Sequence, residues 1–243
     1  MTTSLVTGAT RGVGREVARR LVEAGHTVYL GARDEVRGAD AASAVGATPI
    51  ALDVADETSI ATAVDRVRAE AGSLDVLVNN AGISGQQQRP PTESTIEDLR
   101  TVFETNVFGA AAVIKAFVPL LEASATPVVV NVSSGVGSLT LNSRPESRWK
   151  LLAYPMSKAA LNMLTIQYAH AYPRWRINSA TPGLTATEFT ANTADGVTAE
   201  QMAAAGVHVN TVEEGADIIV RMALLGPDGP TVTFIGNGGP IPW

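Results

Sequence analysis

The chain begins with an apolar run, "SLVTG" at 4–8, that breaks directly into "TGATRGVG" at 7–14. Glycines at 8, 12 and 14 let a backbone turn sharply out of a strand and into a helix, whose N-terminus then becomes approachable by a phosphate. The pattern downstream makes this turn constraining. Strand-like runs at 27–33, 48–54, 74–82, 127–134, 176–183 and 231–236 are interspersed with helix-patterned stretches near 12–24, 57–71, 95–123 and 155–171. Several runs, "PVVVNV" among them, are continuous rather than alternating, as in strands covered on both faces. Strand and helix in alternation imply right-handed crossovers and a parallel sheet. The expectation is one α/β domain over 1–243, doubly wound, with a mostly parallel seven-stranded sheet and helices on both faces.

Composition narrows the function classes. The 243 residues are 45% hydrophobic and 17% charged, enough to bury a substantial core. With 18 Lys and Arg against 24 Asp and Glu, the net charge of −6 argues against a nucleic-acid or anionic-membrane partner. Cysteine is absent, so disulfides and thiolate metal sites are excluded. His26, His170 and His208 are scattered without ligand spacing, and no metal is expected. No apolar run of membrane-span length and no leader pattern stand out, which predicts a cytoplasmic protein.

Two features suggest chemistry. In "LLAYPMSK" (151–158), Tyr154 and Lys158 lie four apart and would share a helix face. A cation beside a phenol favours the phenolate, a device for moving a proton; a lysine stem lying along a surface ring is the alternative. The glycine turn is Gly8-x-x-x-Gly12-x-Gly14, which out of context could be only a tight turn, but after the first strand of a βαβ chain it reads as a dinucleotide site. At the end of the second strand, where an acid would hold the ribose of NAD, stands Ala32, followed by Arg33. Arg11 lies within the turn. Two guanidiniums suit a 2′-phosphate, so NADPH/NADP+ is the expected cofactor; Asp34 should face solvent or pair with Arg33.

Taken together, Thr7-Gly8-x-x-x-Gly12-x-Gly14, "LDV" at 52–54, "NNAG" at 79–82, Asn106 in "ETNVFG", "VNVSS" at 130–134, Tyr154-x-x-x-Lys158 and "PGLTAT" at 182–187 resemble the short-chain dehydrogenase/reductase family over nearly the whole chain. The resemblance implies a Rossmann fold and an oxidoreductase that interconverts a ketone or aldehyde and an alcohol. It implies catalytic roles for Asn106, Ser134, Tyr154 and Lys158: Tyr154 the general acid, Lys158 lowering its pKa together with the positive charge of the oxidised nicotinamide, Ser134 polarising the carbonyl, Asn106 holding a water. Ser133 is the alternative serine, and Asn106 could instead only bond backbone. The implied cofactor contacts are Gly8, Arg11, Gly12, Val13, Gly14, Arg33, Asp53, Val54, Asn80, Ala81, Gly82, Tyr154, Lys158, Pro182, Gly183, Thr185 and Thr187.

Tyr154 stands twenty positions after Ser134, further than is usual in the family. The extra stretch at 138–153, with "EEGA" at 213–216, "GP" at 229–230 and the terminal "PW", resembles the carbonyl-reductase-like branch, which prefers NADPH; a mere surface loop is the alternative for the insertion. Such insertions can cover subunit-pairing faces, leaving monomer, dimer and tetramer open. Segments 84–93, 138–153 and 187–210, with Trp149, Phe189 and Met202, should wall the pocket of a small-molecule carbonyl or alcohol substrate. Two other functions use the same motifs: an epimerase or dehydratase of the extended type, which retains NAD, and a non-enzymatic NADPH-sensing module. Finally, Ser94-x-x-Glu97 reads as a capping box opening the 95–123 helix.

Overall fold

The structure, a computed structural model, describes residues 2–85, 90–145, 151–189, 201, 204 and 206–243. Trp149, Met202 and parts of the three substrate-wall segments (86–89, 146–150, 190–200, 202, 203 and 205) lie outside the described residues.

The elements run β1 (Thr3–Val6), α1 (Gly12–Glu23), β2 (Thr27–Ala32), α2 (Glu35–Val45), β3 (Thr48–Ala51), α3 (Glu57–Ala71), β4 (Val76–Asn79), α4 (Ile96–Phe103), a π-helical turn (Glu104–Gly109), α5 (Ala110–Glu122), β5 (Val128–Val132), a 3-10 turn (Gly135–Gly137), α6 (Leu139–Asn142), α7 (Ala153–Ala171), β6 (Arg176–Thr181), α8 (Val212–Ala223), β7 (Phe234–Gly236) and β8 (Gly239–Pro240). They form one sheet in the order β3-β2-β1-β4-β5-β6-β7-β8. The first seven strands are parallel and β8 is antiparallel to β7. This is a Rossmann-like doubly wound sheet with one strand beyond the seven expected. β8 pairs through the Asn237-Gly238 dipeptide, a strong two-residue hairpin signal in the sequence.

Two apolar layers sandwich the sheet. On one face Val6, Leu30, Val78 and Val130 pack with Val17, Leu21, Ile218 and Ile219 of α1 and α8. On the other, Leu5, Leu77, Val129 and Ile177 pack with Ile60, Val67, Ile114, Phe117 and Trp175. β5, "VVVNV", is buried at every position, so its unbroken run matches cover on both faces.

Helices α2 and α8 were not expected, although both carry start signals. Asp34 caps α2 by accepting from Arg37 N, and Thr211 with Glu214 forms a capping box on α8. Asp34 also pairs with Arg37 at 3.5 Å, not with Arg33. The expected capping box at Ser94 and Glu97 sits one residue later, on Thr95 and Asp98, while Ser94 Oγ donates to the Pro90 carbonyl. The run Ile96–Glu122 is long and apolar enough to span a membrane by length and composition, against the sequence expectation. In this fold Val102, Val113, Ile114, Phe117 and Leu121 of that run are buried in the protein.

Candidate active site

The strand order reverses at β1, which lies between β2 and β4. A crevice opens there at the carboxyl ends of the strands, the place where doubly wound sheets bind ligands. The glycine turn leaves β1 into this crevice. Gly8 (φ +61°) and Gly12 (φ +54°) occupy the left-handed region, which a side chain disfavours. Gly14 is required for a different reason: a Cβ there would lie 2.3 Å from Asn80 Nδ2. Asn80 Nδ2 donates to the carbonyls of Thr7 (2.9 Å) and Gly8 (3.0 Å), and Thr7 Oγ1 accepts from Asn80 N and Ala81 N, both at 3.0 Å. The "NNAG" loop therefore staples the turn in place. Asn80 spends its side-chain amide on that staple. The first N–H groups of α1, from Gly12 to Gly14, have no intrahelical acceptor, and no side chain caps the helix.

Tyr154 sits in the first turn of α7, where Pro155 is tolerated because a first-turn N–H needs no partner. Two buried polar bridges pin α7 to β5 and its exit. Asn131 Nδ2 donates to Thr165 Oγ1 at 2.9 Å, and Ser133 Oγ donates to Asn162 Oδ1 at 2.7 Å. Ser133 is thus occupied structurally. Ser134, partly exposed, is the serine whose side chain acts on the Tyr154 phenol, pulling its pKa down. The loop carrying it is pressed onto α7: a Cβ at Gly137 would come within 2.8 Å of the Lys158 backbone.

Lys158 is 4% exposed, and its Nζ donates to the Val132 carbonyl at 2.8 Å. The same Nζ lies 5.6 Å from the Tyr154 ring centroid, so the i, i+4 meeting foreseen from sequence does occur. Without the cofactor's charge, burial dominates the electrostatics of this pair. Burial pushes the Tyr154 phenol up to about 12, with the Ser134 side chain pulling partly back, although the residue keeps some exposure. Burial brings the Lys158 ammonium down to about 8. In the protein alone the tyrosine is held protonated and the lysine is the group near its titration point. Lys158 addresses the ring face from a desolvated position, and desolvation outweighs the attraction.

Asn106 is buried in the π-helical turn, a helix defect often found at functional sites. Its Oδ1 accepts from Ile83 N and its Nδ2 donates to the Ile83 carbonyl, both at 2.8 Å, and to Ser157 Oγ at 3.0 Å. Ser157 Oγ in turn donates to the Tyr154 carbonyl at 2.7 Å. Asn106 therefore locks the loop after "NNAG" to the start of α7. The backbone it bonds is that of a distant segment, not of its own helix. Gly82 completes the cluster: a Cβ there would lie 3.3 Å from Asn106 Oδ1 and 3.5 Å from Lys158 Nζ.

Around the mouth, Asp53 turns its carboxylate onto Ala55 N at 3.0 Å, and Val54 is buried against Gly109. Val13 is partly buried in the first turn of α1. Past β6, Pro182 and Gly183 are held by Asn210, whose Nδ2 donates to the Pro182 carbonyl at 2.7 Å. Thr185 is buried, with its hydroxyl donating to the Pro182 carbonyl at 3.1 Å, so it shapes this loop. Thr187 reaches the glycine turn, its Cγ2 3.4 Å from where a Gly12 Cβ would be. Arg11 is exposed and paired with Glu188, while Arg33 is exposed at the end of β2 with no ion pair among the described residues. Sequence reasoning missed Glu188, Ser157 and Ile83. Phe189, named as a pocket wall, lies beside Tyr154 with ring centroids 5.6 Å apart. Among the described residues no cluster of His, Cys, Asp or Glu could hold a metal ion.

The sequence model of the short chain dehydrogenases matches residues 2–198. The chain belongs to the short-chain dehydrogenase/reductase family. Members of this family are oxidoreductases that use nicotinamide cofactors. A short-chain dehydrogenase/reductase of Stachybotrys chlorohalonatus is 34% identical, the alignment covering 98% of this chain and 93% of that one. The structure of salutaridine reductase from Papaver somniferum superposes with a TM-score of 0.80 at 26% identity, over 96% of this chain and 99% of the other. A gluconate 5-dehydrogenase from Burkholderia cenocepacia, in complex with NADP and tartrate, superposes with a TM-score of 0.81 at 25% identity, over 97% and 92%. In this chain the glycine turn and the helix N-terminus that follows it fit a dinucleotide. The left-handed glycines and the absence of room for a Cβ at Gly14 are the observations that carry the fit.

Proposed function

We propose that the protein reduces a ketone or aldehyde to the alcohol with NADPH, or runs the reverse reaction. The observation carrying this reading is the meeting of Tyr154 and Lys158 on one face of α7, Nζ 5.6 Å from the ring centroid, with Ser134 acting on the same phenol. A phenol held in its acid form is what carbonyl reduction needs, because the oxygen must gain a proton as its carbon gains hydride.

When bound, the dihydronicotinamide supplies that hydride to the carbonyl carbon. The chain does the rest. Ser134 Oγ donates to the substrate oxygen and polarises it. Tyr154 Oη delivers the proton. Lys158, charged below about pH 8, stabilises the phenolate left behind, the step at which its cation gains most. Phe189 flanks this point, which suits a partly apolar small molecule.

The preference for NADPH rests on Arg11 and Arg33 at the mouth and on Ala32, which puts no carboxylate there. The near relatives named for reductase activity and the neighbour holding NADP support the reading. The test is a fluorescence titration of the purified protein with NADPH and NADH. Tighter NADPH binding, lost in Arg33→Ala, is expected; tighter NADH binding would overturn the cofactor assignment.

A further inference from the structure

Arg11, the guanidinium inside the glycine turn, is already engaged: it pairs with Glu188 from the loop after β6. Both side chains are largely exposed, so an accidental surface pair is the first explanation to meet. The backbone argues otherwise. Asn210 clamps the base of this loop, with Ala186 N donating to the Asn210 carbonyl at 2.9 Å and Asn210 N to the Leu184 carbonyl at 2.8 Å. Thr187 rests against the glycine turn at Gly12. Glu188 is therefore anchored two residues from a fixed point and one from a close approach to the turn, and its carboxylate is delivered to Arg11 rather than wandering onto it.

We propose that Glu188 is a specificity-determining residue for the cofactor: it competes with the 2′-phosphate of NADPH for Arg11 and so tempers the preference for NADPH over NADH. This rests on the reading, above, that Arg11 holds that phosphate. A guanidinium paired with a carboxylate offers fewer donors to a second anion, and a carboxylate beside an incoming phosphate dianion repels it. NADH presents a neutral hydroxyl at the same place, so the penalty falls on NADPH alone. The sequence could not show this, since 177 positions separate the partners.

The experiment measures Kd for NADPH and for NADH by fluorescence, without substrate, in the parent, Glu188→Gln, Arg11→Ala and the double variant. Glu188→Gln is expected to bind NADPH roughly two- to fivefold tighter, the scale of an exposed ion pair, with NADH unchanged. The gain should vanish in the Arg11→Ala background and shrink as salt is raised. Glu188→Ala repeats the comparison without an amide that could still bond Arg11. Equal changes for both cofactors, or none, with NADPH weakened in Arg11→Ala, overturn the competition while leaving Arg11 as the phosphate ligand. NADPH affinity unchanged in Arg11→Ala overturns the phosphate reading of Arg11 and the competition with it.

Discussion

Lys158 is charged in solution and buried in the fold, and the two facts can be separated by replacing it with methionine. The stem is retained, the charge is not. The ammonium's fall from its ordinary 10.5 to about 8 shows that the protein disfavours the charged form. At about 1.4 kcal/mol per pH unit, that difference makes the buried cation cost about 3 kcal/mol near neutrality. The sign follows from proton counting. The unfolded chain binds the proton more tightly than the folded one, so the parent gains stability as pH rises from about 8 towards 10.5, and the cost is fully present below 8. Lys158→Met has no such dependence. It also loses the hydrogen bond to the Val132 carbonyl, which takes back about 1–2 kcal/mol at all pH values.

Cofactor-free Lys158→Met is thus expected to match or exceed the parent in stability at pH 7, while being inactive. Its advantage should shrink by about 2 kcal/mol between pH 7 and pH 10, or roughly 4–8 °C in Tm for a chain of this size. Urea unfolding of both proteins at the two pH values measures the difference directly, and the other titrating groups cancel in it. A gap that does not move with pH, or that widens, refutes the claim that the cofactor-free site holds a destabilised cation.

Two further outcomes follow from the same geometry. Gly14→Ala forces Asn80 Nδ2 off the Thr7 and Gly8 carbonyls; urea unfolding should show a loss of about 1–3 kcal/mol, and NADPH titration a weakened complex. Because Lys158 must be charged to support the departing proton, kcat/KM for carbonyl reduction should fall as pH rises through about 8; a profile flat to pH 10 would contradict this.

The sequence disclosed what depends on local spacing. Gly8, Gly12 and Gly14 announce a turn between strand and helix, and Tyr154 and Lys158 meet because four residues make about one helical turn. The fold class followed from unbroken runs such as Val128–Val132. What stayed hidden depends on segments far apart in the chain. Asn106 finds Ile83, and Arg11 finds Glu188, only once the sheet has assembled. The direction of the Tyr154 shift is of the same kind: the sequence shows the neighbouring cation, whereas desolvation comes from the packing of whole elements. Two misses were of a different sort. The Asn237-Gly238 hairpin and the Thr211–Glu214 capping box carry local signals that patterning by apolar runs passes over.

The central claim is that Tyr154 is the acid of an NADPH-dependent carbonyl reduction. The direct measurement follows NADPH oxidation by absorbance against a panel of ketones and aldehydes, for the parent and for Tyr154→Phe, with NADPH affinity measured in both. The account predicts turnover of at least one partly apolar carbonyl by the parent and a loss of about 10²-fold or more in the variant, with NADPH binding nearly unchanged. Equal turnover by the two proteins would contradict it.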